Sequence, residues 1–117
     1  MTASGRTVLE ELCADVPALQ PLWTAHLNEN HGEFLPHVFL ADVARFAVAS
    51  LQGTADQAAI AQSILTFLER AFAAGDPDVQ ELIAVSFIEN LPRDEQPGHE
   101  IRRLLGPHLL AEAIRST

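Results

Sequence analysis

Two pairs of stop and start signals govern how this chain can fold. Gly53 is followed by Thr54 and, three residues later, Gln57; Gly75 is followed by Asp76 and Pro77. A glycine just past a last helical turn accepts the left-handed conformation at little cost. Thr with Gln three residues on, or Asp before Pro, satisfies the first free amides of a new helix or removes one of them. Each pair therefore ends one helix and opens the next. Between them, 57–74 carries Ile60, Ile64, Leu65, Phe67, Leu68, Ala71 and Phe72 opposite Gln62, Thr66, Glu69 and Arg70, the spacing of a helix that buries one face. No stretch alternates with a period of two, so no sheet is expected.

The rest of the chain follows the same logic. Thr7 with Glu10 forms a capping pair that predicts a helix from there to Val16, leaving 1–6 as a flexible N-terminus. Pro17 and Pro21 predict a turn and a short helix carrying Leu22, Trp23, His26 and Leu27, closed by the polar run 28–32. The segment 34–52 is apolar nearly all round, with Leu35, Val38, Phe39, Phe46 and Ala49 on one side and Leu40, Ala44, Ala47, Val48 and Leu51 on the other, the pattern of a central buried helix. A helix over 77–91, a polar loop over 92–98 and a last helical segment broken at Gly106-Pro107 complete the reading. The expected fold is all-α: five to six helices in a single domain over 1–117, packed around 34–52.

Charge narrows the partners. The net charge is −9, which disfavours nucleic acid and anionic membrane. Residues 76–100 hold seven acids against Arg93, a net −6, while 34–75 is close to neutral and 101–117 is net positive. There are seven arginines and no lysine, with abundant Ala and Leu, a composition that fits a high-GC bacterial genome. One cysteine, Cys13, permits no internal disulfide, and neither an apolar leader nor an 18-residue apolar run is present, so the cytoplasm is the expected location.

The stretch 68–91, LERAFAAGDPDVQELIAVSFIENL, resembles the turn and second helix of a HEAT-type hairpin. The longer pattern from Phe34 to Leu91, joining FLPHVFLADVARF, ILTFLERAF and GDPDVQELIAVSFIENL, is similar to a family of small all-helical bacterial proteins, some resembling immunity proteins of toxin systems. The resemblance implies HEAT-like hairpins, a basic toxin domain as protein partner, and stoichiometric occlusion rather than catalysis.

Candidate residues fall into three groups. The acids of 76–100 and a polar strip on the same helix give a partner face: Asp78, Glu81, Ser86, Glu89, Asn90, Asp94 and Glu95. Asp42 lines up with Leu35, Phe39 and Phe46 and is expected to be buried and hydrogen-bonded, to Arg45 three residues on or to a backbone group, because a buried carboxylate needs a partner. His26, His31, Glu33 and His37 offer metal-ligating side chains, but their spacing matches no zinc signature, and surface histidines are the expectation. Cys13 and Trp23 are assigned to the core. No phosphate loop, CxxC, HExxH or G-x-S-x-G is present, so neither enzyme nor cofactor is expected. Two other readings remain open: a small enzyme or ligand-binding protein with a pocket near Asp42 and His37, and a homo-oligomer subunit.

Overall fold

The computed structural model describes residues 3–93 and 95–115. Thr54 and Gln57 make the reciprocal cap that their spacing predicts: the Gln57 amide donates to Thr54 Oγ1 (3.2 Å) and the Thr54 amide to Gln57 Oε1 (2.9 Å). That box opens α4 (Ala55–Ala73). Asp76 caps α5 (Pro77–Ser86), accepting from the amides of Asp78 and Val79. Before them come α1 (Ala3–Asp15), α2 (Gln20–Glu29) and α3 (Pro36–Leu51); after them, 3₁₀ turns at Ile88–Asn90 and His99–Leu104 and α6 (Pro107–Arg115). The described residues contain no strand, so the fold is all-α, with six α-helices.

Two boundaries depart from the sequence reading, each through a contact distant in sequence, and a third departure concerns burial. First, α1 begins at Ala3, so Thr7 lies inside the helix instead of capping it, and residues 3–6 are helical rather than flexible. The cause is Arg6, which pairs with Glu10 (3.3 Å) and lays its guanidinium over the rings of Trp23 (5.8 Å) and Phe34 (5.3 Å). Second, α5 stops at Ser86, five residues before Leu91. Ser86 is buried against His37 of α3, and the Asn90 side chain donates to the freed Ser86 carbonyl (2.9 Å), so the chain tightens into a 3₁₀ turn with Phe87, Ile88 and Leu91 all buried.

Third, α3 is the hub, packed against α1, α2, α4, α5 and the turn Ile88–Asn90, yet it is not buried all round. Phe39, Leu40, Val43, Ala44 and Ala47 face the core, while Val38, Asp42, Arg45 and Ala49 form a strip open to solvent. Asp42 does pair with Arg45, but its side chain is 31% exposed and that of Arg45 62%. A helix this apolar carries little information about which side faces out, and the charged pair marks that side. Asp42 and Arg45 are therefore a surface pair, not a buried one, and their link contributes only about 0–1 kcal/mol.

Glu69 was indistinguishable in sequence from a solvated residue of α4. Its carboxylate accepts the amides of His108 and Leu109 (3.0 Å each) and the His108 Nδ1–H (2.6 Å), so one helix caps the N-terminus of another. A side chain at Gly106 would meet that carboxyl at 2.6 Å and would have to displace the cap. Partial burial pushes the Glu69 carboxyl up. The two backbone amides and the bond and charge of His108 outweigh this and hold it below its ordinary 4.5. A depressed folded-state value means the stabilisation is complete above the unfolded value and is lost as pH falls through the folded one. Glu69→Gln should cost about 1–3 kcal/mol near neutrality and flatten the loss of stability below about pH 4.5. Urea titrations of both proteins across that range check it; parallel pH profiles would remove Glu69 as the acid-sensitive cap.

Candidate protein-interaction face

The inner side of α5 is fully committed. Val79, Leu82, Ile83 and Ser86 are buried, and Gln80 donates to the Phe72 carbonyl (3.0 Å), tying α5 to the end of α4. What remains outward is Asp78, Glu81 and Val85, at helical spacings of three and four, followed by exposed Glu89 in the next turn. Val85 is 42% exposed, a large apolar side chain set among carboxylates.

The structure divides the other predicted face residues. Ser86 is not on the surface: it is buried, with Oγ 2.5 Å from His37 Nδ1. Asn90 is exposed, but its amide is engaged as a cap for α5. Glu95, exposed at a positive φ of 74°, lines a separate concavity with His99, Arg102 and Arg103, away from the outer side of α5. Asp94 lies outside the described residues. The acidic face is therefore Asp78, Glu81 and Glu89 around Val85.

Neither the concavity between α1, α4 and α5 nor the one lined by Glu95, His99, Arg102, Arg103 and Leu110 includes Asp42 or His37. His37 and Ser86 make an approach of the kind used by a nucleophile and its base, but the 3% exposure of Ser86 leaves no route for a substrate. The pair fixes α3 to α5. His26, expected at the surface, is buried: its Nε2 accepts the Leu35 amide (3.0 Å), and its ring packs edge-on against Phe34 and Phe39. That bond satisfies a backbone group at the start of α3 and occupies the lone pair a metal would need. Among the described residues no three His, Cys, Asp or Glu side chains are grouped to hold a metal. Cys13 sits in the core, and burial pushes its thiol up to about 11, so the nucleophilic thiolate is suppressed.

A concavity unmarked in the sequence lies between α1, α4 and α5, about 390 Å³, with Val8, Phe67, Ala71 and Val79 as apolar lining. Arg70 at its edge is held toward Asp15 at 3.8 Å. Its lining joins α1 to the consecutive helices α4 and α5, some fifty residues later in the chain, and its apolar side chains read in sequence as ordinary core.

Among the described residues no helix is long and apolar enough to cross a membrane. No curated protein and no solved structure matches the chain. The profile of the family described as Domain of unknown function (DUF7674) matches residues 9–117, and the chain belongs to that family.

Proposed function

We propose that this chain is a protein-binding module of the bacterial cytoplasm that recognises a basic protein surface through the outer face of α5, in the manner of an immunity protein neutralising a toxin. The observation that carries the reading is the exposed group Asp78, Glu81 and Val85 on α5, continued by Glu89 in the next turn, on a helix whose opposite side is locked into the core. A rigid scaffold presenting carboxylates around an apolar centre is suited to steering a cationic surface and then excluding water from it. The capped turn between α4 and α5 gives that face the rigidity of a helical hairpin, which supports the HEAT-like reading of this segment. Occlusion is stoichiometric: a carboxylate face laid over a basic catalytic surface blocks it without any reaction.

The test is identification of the neighbouring gene and, where it encodes a toxin, rescue of bacteria from that toxin, paired with association kinetics at two salt concentrations. Glu81→Arg with Glu89→Arg should slow association by about tenfold or more at low salt and flatten its salt dependence, with the helical fold retained. Glu95→Arg, set among the arginines, is the off-face control. Unchanged association in the double variant would reject this face; an intact chain that neither binds nor protects would reject the immunity role.

A further inference from the structure

The C-terminal segment collects what most of the surface lacks. Among the described residues Val38, Val85, Leu104, Leu110 and Ile114 are the large hydrophobic side chains left exposed, and three of these five fall between 104 and 114. In α6, Leu109 and Ala113 turn inward, while Leu110 and Ile114, one turn apart, point out, Ile114 being 68% exposed. Leu110 also borders a concavity of about 570 Å³ with Glu95, His99, Arg102 and Arg103.

The cations here differ in how they are engaged. Arg102 donates to the carbonyls of Pro92 (2.6 Å) and Leu91 (3.3 Å) and is part of the scaffold. Arg103 is exposed and pairs with no described residue. Arg115 reaches Glu112 (2.8 Å) but remains largely in solvent. Residues 101–115 hold three arginines against one glutamate, on a chain whose net charge is −9.

We infer that this cationic, apolar surface docks the acidic outer face of α5 of a second copy of the chain. Charge complementarity selects the occupant. Two copies at −9 repel in most orientations. An attractive approach sets Asp78, Glu81 and Glu89 of one copy against Arg103 and Arg115 of the other, and Val85 against Leu110 and Ile114. Because α6 packs on α5 and on the turn Ile88–Asn90, the two faces are neighbours on one molecule, and a two-fold pairing forms the contact twice. Pairing also covers the α5 face, so a basic partner and a second copy would compete for it. That competition rests on the function proposed above; self-association does not, and is measured on the isolated chain.

Sedimentation equilibrium of the full chain over a wide concentration range tests it. Wild type should show a monomer–dimer equilibrium. Glu81→Arg with Glu89→Arg, and separately Arg103→Glu with Arg115→Glu, should each weaken pairing by about tenfold or more, and an equimolar mixture of the two should restore it as a heterodimer. Far-UV circular dichroism checks that each variant is folded. Ile114→Ser should weaken pairing with no change of charge and serves if a reversed variant misfolds. A wild type that stays monomeric throughout would overturn the inference. So would pairing that survives both reversals, or a mixture that fails to restore it. Binding to anionic phospholipid vesicles by a chain that never pairs would assign the patch to a lipid surface and overturn it equally.

Discussion

Phe39→Ala should destabilise the protein by about 3–5 kcal/mol, a large part of a total stability on the order of 6–17 kcal/mol for a chain of this length. Phe39 is fully buried on α3 and touches three aromatic rings: Trp23 edge-on at 5.3 Å, His26 at 5.6 Å and Phe34 at 5.7 Å. Trp23 stacks on Phe34 at 4.4 Å, and Arg6 covers both. Truncation removes the transfer energy of the ring and leaves a space that neighbouring helices cannot fill, because His26 is held by its bond to the Leu35 amide. Phe39→Leu keeps most of the volume and should cost less than about 1.5 kcal/mol. Urea denaturation followed by Trp23 fluorescence measures both. A loss below about 1 kcal/mol for the alanine variant would mean that α1 and α2 can close over the gap, and that the cluster does not anchor α3.

The elements legible in the sequence are those whose determinants are local. Thr54 and Gln57 lie within one turn of each other, as do Asp76, Pro77 and Asp78, and their caps form as the spacing demands. Where a determinant lies on another helix, the sequence is silent. Nothing near Ala3 announces a helix start, because the first turn is held by rings 17 and 28 residues from Arg6. Nothing near Ser86 announces an end, because the reason is His37, 49 residues earlier. Glu69 and His108 are 39 apart, and a lone glutamate on a polar stripe gives no hint of a cap.

The candidate face was legible in the same measure. Excess negative charge over 76–100 is a sum, and sums survive folding: Asp78, Glu81 and Glu89 are exposed as expected. Position within the excess does not survive it. Ser86 reads as a surface residue only if α5 runs one turn further than it does, and the fold separates Glu95 from the other acids, setting it beside His99, Arg102 and Arg103. Asp42 shows the converse error. Its alignment with Leu35, Phe39 and Phe46 was real, but alignment in a helix apolar on both sides does not say which side meets the core. The carboxylate itself was the better signal, since an exposed strip costs nothing in desolvation and a buried one needs a partner as buried as itself.

Gly98→Ala should cost about 2–5 kcal/mol, and most of that through one close approach. Gly98 is buried at φ +89°, ψ 0°, immediately before the 3₁₀ turn His99–Leu104. A side chain in this conformation carries a penalty of about 1–2 kcal/mol. In addition, its Cβ would stand 2.6 Å from Val48 Cγ1 on α3 and 3.3 Å from the Pro92 ring. Val48 is β-branched on a helix and cannot rotate away cheaply, so the loop after Pro92 must move, at about 1–3 kcal/mol more. Gly75→Ala separates the two contributions: Gly75 has the same φ, +91°, but nothing within 4 Å of its added Cβ, so only the backbone penalty applies. Gly98→Ala combined with Val48→Ala should then cost clearly less than the sum of the single changes. Displacing this loop also shifts Arg102 from the carbonyls of Leu91 and Pro92, and with it the seat of the arginine surface. Urea denaturation of the four variants, with amide hydrogen exchange of residues 99–115, reads both effects. Equal losses for the Gly98 and Gly75 variants, or strict additivity with Val48→Ala, would show that the contact with α3 yields freely and that backbone conformation alone requires the glycine.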